Sequence, residues 1–346
     1  STYSLVTHHQ DAEARFAGRK YLTYLMGTSI AFFLPAMIIT YWCTGTLDFA
    51  DQGILAGKAG APILTLTFVL FIAGIGKAAI MPIHSWLPSA MVAPTPVSAL
   101  LHAVAVVKVG VFSVLRVCFH IFGIDLMHAL SLDVFLLYLI SVTIIVGSLF
   151  ALRQDDLKAR LAYSTVSQLS YIVMAGGLMS VMGMTGGVIH IVMHAFGKIT
   201  LFFCAGAIIA HTGFKKISEI RGIGKQMPVT MMAFFFGSLS VIGIPPMGGF
   251  ISKWYLALGC IEAGQIPILV VILTSSLLNA AYFLPITYNA FFSTGPNFDD
   301  STRMNEAHIC AVIPPVLTAI ASFILFVRPG FFLELARMTA QAVMGG

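Results

Sequence analysis

Residues 185–210, TGGVIHIVMHAFGKITLFFCAGAIIA, form an apolar run that carries His190, His194 and Lys198. The run is long enough to cross the ~30 Å hydrocarbon core of a bilayer as a helix. The i, i+4, i+8 spacing of its three polar residues sets them on one slowly drifting face. The run therefore reads as a membrane helix with a polar column along one side. Three more lysines are embedded in the same way: Lys77 in FIAGIGKAAIMP (71–82), Lys108 in AVAVVKVGVF (103–112) and Lys253 in GGFISKWYLAL (248–258). A lysine at the centre of a bilayer helix costs ~2.5–3.5 kcal/mol on insertion scales, and four cost roughly 10–14 kcal/mol. Anchoring alone does not call for such a cost, so the four point to a proton or ion path through the membrane.

Working outward from that run, eight more apolar stretches fall at about 21–43, 62–81, 95–118, 129–151, 160–181, 228–256, 266–292 and 308–327. Nine candidate spans joined by short loops describe an all-α, polytopic membrane protein with a single membrane domain over 1–346 and no soluble module. The composition agrees, at 58% hydrophobic and 10% charged residues, outside the range of soluble domains. The net charge of +5 is scattered through short loops and forms no basic stripe, so no nucleic-acid partner is expected. The five cysteines lie far apart with no CxxC pair, which argues against a zinc or iron–sulfur site. The chain opens on a polar segment without a signal-peptide pattern.

Loop charge gives an orientation. If the opening segment is cytoplasmic, the loops on that side hold Arg15, Arg19, Lys20, Arg153, Lys158, Arg160, Lys215, Lys216, Arg221, Lys225 and Arg303, and the other side holds Lys58, Arg116, Arg328 and Arg337. Eleven against four follows the positive-inside rule. It places residue 1 inside the cell, and an odd number of spans places the C-terminus outside.

Two spans read as broken. Pro82 follows Lys77 in the second, while Pro245, Pro246, Gly248 and Gly249 precede Lys253 in the seventh. Proline removes a backbone donor and clashes with the preceding turn, and such breaks are tolerated at membrane depth where they are buried in protein or line a wet cavity. The two lie five spans apart, so they cross in opposite directions, as in an inverted repeat with its working site at the breaks. That divides the chain into the remainder of a first repeat (1–125), a second repeat (126–293), and a final span with its tail (294–346).

The polar residues divide by face and by neighbour. Each histidine of the 185–210 run could simply bond a carbonyl, but two histidines and a lysine on one stripe favour a polar column. His102 and Lys108 share the third span, where six residues of regular helix turn them about 120° apart, bracketing a channel rather than touching. At the breaks, freed carbonyls beside Lys77 and Lys253 could hold water or a proton donor. All 14 Asp and Glu residues, Asp299 and Asp300 among them, fall in loops or near span ends, so no intramembrane carboxylate faces the lysines. Two charged lysines ~8 Å apart at an effective dielectric of ~20 repel by about 2 kcal/mol. Protonation of one then discourages protonation of its neighbour, which is the coupling a relay needs.

Four longer motifs carry a family likeness. The runs 76–112 (GKAAIMPIHSWLPSAMVAPTPVSALLHAVAVVKVGVF), 155–171 (DDLKARLAYSTVSQLSY), 194–206 (HAFGKITLFFCAG) and 243–254 (GIPPMGGFISKW) occur in that order. Over about residues 1–295 the chain resembles the antiporter-like membrane subunits of respiratory complex I, and more closely the D-type subunits of the Mrp-type multisubunit sodium/proton antiporters. The resemblance implies two inverted five-helix repeats, each with a broken helix, and a file of protonatable residues at the membrane midplane. Matched by motif, Lys77 is the lysine of the first broken helix, His102 and Lys108 are the connecting positions, His190, His194 and Lys198 form the histidine–lysine helix, and Lys253 is the terminal lysine. It implies other membrane subunits as partners, protons and Na+ as cargo, a lipid surround, a bacterial inner membrane, and neither redox cofactor nor catalytic nucleophile. The sequence also departs from the family, which spans the membrane about fourteen times. Ser1–Gln10 resembles the end of the family's fifth helix, just beyond a glutamate that partners the Lys77-type residue, and Ser89 stands where an acidic residue is typical. The expected function is proton translocation in a cation/proton antiporter. The alternatives are a proton-pumping subunit of a complex I-like quinone oxidoreductase or membrane-bound hydrogenase, and a non-conducting scaffold.

Overall fold

The computed structural model describes residues 2–295, 297–298 and 303–344; Asp299 and Asp300, like both chain ends, lie outside them. Eleven helices carry the fold: α1 (Ala12–Thr44), α2 (Ala61–Gly74), α3 (Thr95–Phe122), α4 (Leu132–Arg153), α5 (Leu157–Leu178), α6 (Val181–Thr212), α7 (Pro228–Ile242), α8 (Gly249–Glu262), α9 (Ile266–Phe292), α10 (Ile309–Val327) and α11 (Gly330–Met344). Among the described residues there is no strand. Six of these helices, α1, α3, α4, α6, α9 and α10, are long and apolar enough to cross a membrane. The remaining three expected spans are the two broken ones and α5, whose polar side chains lower its hydropathy.

Helix ends follow from local chemistry. Asp11, Asp156 and Ser180 accept from Ala14 N, Ala159 N and Gly183 N and so cap α1, α5 and α6. Gly213, at φ 78°, closes α6 in the left-handed region. Glu306 caps α7 from a distant loop, accepting from Val229 N at 2.6 Å, Thr230 N at 3.2 Å and Thr230 Oγ1 at 2.8 Å. A carboxylate there also suits the positive end of the helix dipole.

α6 is the hub. It packs against α3, α5, α7, α8, α10 and α11, and the apolar core divides along its length. Met184 joins one cluster with α1 to α5, whereas Leu201, Phe202, Cys204 and Ile208 join a second with α7, α9 and α10. His190, His194 and Lys198 occupy the interval between the two clusters.

The tail after the last span is helical. Residues 330–344 form α11, which lies against α6 with Ala336 and Ala340 fully buried, and Arg337 donates to Tyr255 Oη at 2.9 Å. Small residues at the contact let the helices approach closely.

A buried lysine–histidine file as the candidate functional site

The α6 stripe meets two other helices through its histidines. Lys108 Nζ of α3 lies 2.9 Å from His194 Nδ1, and His190 Nδ1 lies 2.7 Å from Ser252 Oγ of α8. The two histidine rings stand 5.8 Å apart. Lys198, fully buried, donates to the Leu161 carbonyl at 3.1 Å and to the Ser164 hydroxyl, with the Phe283 ring 5.4 Å from its Nζ. His102 is fully buried with both ring nitrogens unpartnered, and its ring lies 5.2 Å from Phe202.

The structure corrects the geometry expected of α3. A π turn spans Leu100–Val104, and Ala105 departs from regular helix with φ −105° and ψ −79°. A π turn takes an extra residue, so the 120° separation of a regular helix does not hold. His102 and Lys108 do not bracket a channel from opposite sides; both face α6, at Phe202 and His194.

The second break is built around Lys253. α7 ends at Ile242, α8 starts at Gly249, and a Cβ at Gly249 would overlap the Ser240 carbonyl oxygen. This close approach is possible only for glycine. Lys253 reaches back over the gap, donating to the freed Ile242 carbonyl at 2.8 Å and to Ser276 Oγ at 3.1 Å, while its Nζ lies 5.0 Å from the centre of the Tyr171 ring. The carbonyl left open by the break thus holds the lysine itself.

The first break is different. α2 ends at Gly74, one short turn carries Gly76–Ala78, and Trp86 Nε1 donates to the Gly76 carbonyl at 2.9 Å. The tryptophan takes the role that Lys253 plays at the second break, and the Lys77 side chain is exposed. Met81–Pro82 and Pro245–Pro246 are both cis peptides, one at each break. Lys108, Lys198 and Lys253 are 9%, 0% and 6% exposed, so the buried file holds three of the four lysines and Lys77 stands on the flank.

Several site residues escaped the sequence reading. Ser164, Gln168 and Tyr171 lie on one face of α5 and are buried, and Ser252, Ser276, Asn279 and Tyr282 complete the wall. Tyr282 donates to Asn279 Oδ1, and the hydroxyls of Ser148, Ser167 and Ser275 meet within 3.0–3.3 Å. The signal was the run TVSQLSY at 165–171, too polar for a lipid-facing helix. Beside the start of α5, a cavity of about 610 Å³ has a mixed lining that includes Asp11, Glu13, Asp156, Lys158, Phe16 and Met91. Lys158 Nζ donates from it to the Ala93 carbonyl at 2.6 Å, which also accepts from the buried Ser98 hydroxyl one turn before His102.

The family model described as NADH:quinone oxidoreductase/Mrp antiporter, transmembrane, matches residues 1–279. The chain belongs to this family. It is 39% identical over 290 residues to NADH-quinone oxidoreductase subunit N of Desulforudis audaxviator (strain MP104C), covering 81% of this chain and 58% of that relative. It is 37% identical over 230 residues to the chloroplastic NAD(P)H-quinone oxidoreductase subunit 5 of Arabidopsis thaliana, covering 62% of this chain and 30% of the relative. The chain thus spans little more than half of one relative and under a third of the other. Among solved structures, an archaeal membrane-bound sulfane sulfur reductase matches with TM-score 0.88 at 27% identity, over 99% of this chain and 69% of that one. The Mrp complex of Dietzia sp. DQ12-45-1b matches with TM-score 0.86 at 22% identity, over 96% and 69%, a likeness of fold. The expected family and the all-helical, multi-pass membrane fold both hold.

Proposed function

We propose that the chain translocates protons along the file Lys108–His194–His190–Lys253, with Lys198 and His102 as side stations, within a multisubunit membrane complex. The observation that carries this reading is the 2.9 Å contact of Lys108 Nζ with His194 Nδ1, which joins α3 to α6 in the interior. No carboxylate pairs with either residue among the described residues. Two basic nitrogens in contact without a countercharge do not act as a structural ion pair; they can pass one proton between them.

The cavity beside Lys158 gives the His102 side station an aqueous approach, and the loop charges favour the cytoplasmic side of a bacterial inner membrane for it. No nucleotide-binding P-loop is present in the sequence, so the work comes from a neighbouring subunit or an ion gradient. The subunit N relative and the sulfane sulfur reductase are redox complexes by name, which favours a redox-driven assembly. The companions expected are electron-transfer subunits with iron–sulfur clusters. The test is proton uptake by proteoliposomes of the purified complex. Lys108→Met and Lys253→Met should abolish uptake while all subunits still co-purify. Wild-type uptake in both variants would refute the file, and companions limited to small membrane subunits would return the assembly to the antiporter class.

A further inference from the structure

One buried residue stands against both His190 and the terminal lysine. Tyr171 of α5 is fully buried, and its ring meets His190 edge-on at 5.6 Å while Lys253 Nζ stands 5.0 Å from its centre. Its hydroxyl makes no well-formed hydrogen bond, although the Ser275 and Ser276 hydroxyls lie beside it. Ser276 in turn accepts from Lys253. Two more orphans lie near: His190 Nε2, and both amide atoms of Gln168, one turn before Tyr171. The Gln168 backbone carbonyl also lies against His190.

Buried polar groups are nearly always paired, because leaving one unpaired costs its desolvation without return. Three orphans in one small region, on both sides of the step from His190 to Lys253, therefore call for an account. That step, like the one between the two histidine rings, lacks a direct hydrogen bond. His190 Nδ1 is committed to Ser252, and Lys253 Nζ is committed to Ile242 and Ser276.

We propose that the Tyr171 hydroxyl is the proton carrier between His190 and Lys253. The proposal rests on the file described above and assigns its step from His190 to Lys253. A phenol is both donor and acceptor. Its oxygen accepts the proton leaving His190 Nε2, directly or through one water held by Gln168, as its own O–H proton passes to Ser276 Oγ. The Ser276 hydroxyl proton passes on to Lys253 Nζ. Every hydroxyl ends neutral with one proton, His190 has lost a proton and Lys253 has gained one. Rotation of the two hydroxyls resets the wire.

The test is Tyr171→Phe, which removes one oxygen and keeps the ring against His190 and Lys253. In proteoliposomes of the intact complex, the variant should translocate protons at least tenfold more slowly, with an altered solvent deuterium isotope effect. Its melting temperature should match the wild type, because the lost hydroxyl had no partner. Tyr171→Leu serves as the packing control, lowering stability as well as rate. Full uptake by Tyr171→Phe, beside wild-type uptake and a dead Lys253→Met, would overturn the tyrosine step and leave the file intact. Slow uptake with an equal loss of melting temperature would also overturn it, in favour of a packing role. Absence of uptake in the wild type, or normal uptake in Lys253→Met, would strike the file itself.

Discussion

Lys108→Arg separates a lysine that passes its proton from one that only supplies charge. In the structure Lys108 Nζ and His194 Nδ1 are 2.9 Å apart. Two unit charges at that separation and an effective dielectric of ~20 repel by about 6 kcal/mol, roughly four orders of magnitude in occupancy. The pair therefore carries one proton at a time, and transfer requires Lys108 to become neutral. Arginine does not deprotonate in proteins. A fixed guanidinium beside His194 would keep that ring empty and close the file. Lys108→Arg should then be as inactive as Lys108→Met in a pH-dye uptake assay on proteoliposomes, although it preserves charge and most of the side-chain volume. The controls are subunit composition and driving activity measured with an uncoupler present. If Lys108→Arg translocates at wild-type rate while Lys108→Met does not, the lysine acts as a static charge and the one-proton argument fails.

Three other outcomes are expected. Gly249→Ala places a methyl group on the Ser240 carbonyl oxygen, so it should cost about 1–3 kcal/mol by overpacking and displace Lys253, seen as a lower melting temperature together with slower uptake. Glu306→Ala removes all three bonds at the start of α7 and should lower stability by ~1–2 kcal/mol; an unchanged melting temperature in detergent would show that the cap contributes nothing. Lys77, exposed at the first break, should meet an Asp or Glu from outside residues 1–346 within about 4 Å in a structure of the assembled complex, and purely apolar packing there would favour the scaffold reading.

Most of this arrangement was legible in the sequence, for identifiable reasons. The α6 stripe was readable because a regular helix keeps i, i+4, i+8 on one face, and α6 is regular through His190, His194 and Lys198. The relation of His102 to Lys108 was not, because a π turn at Leu100–Val104 changes the phase and nothing in LLHAV announces it. The second break was readable from Pro245 and Pro246 together with Gly248 and Gly249, but proline alone is no guide. Pro285 sits inside the continuous α9, and Pro314 and Pro315 inside α10. What separates them is the glycine that lets α8 approach the end of α7. The exposure of Lys77 was hidden because its apolar context equals that of Lys253. The difference lies in Trp86, ten residues from the carbonyl it occupies. The hydroxyl wall of α5 and α9 was hidden because serine and threonine in membrane helices usually bond the carbonyl one turn back, as Thr165 and Ser170 do here. Only the fold shows which hydroxyls turn toward a neighbour instead.

The absence of acid from the file bears on how it can be driven. The histidine rings at 5.8 Å imply a repulsion of about 3 kcal/mol between protonated neighbours at an effective dielectric of ~20. Moving one elementary charge across 100 mV is worth ~2.3 kcal/mol. The two quantities are of similar size, so a proton pushed onto one station can eject its neighbour against a membrane potential of that order. A carboxylate inside the file would weaken this coupling, because it would trap a proton between two bases and cancel the repulsion that moves the next one. A carboxylate at the flank would act differently. Beside the exposed Lys77 it could hold or release that lysine as neighbouring subunits change state, and so alter the charge felt at Lys108, on the helix that packs directly against the Lys77 turn. The layout of three buried lysines, the histidines between them and one exposed lysine therefore fits a conductor whose interior is electrostatically spring-loaded and whose control lies at an interface.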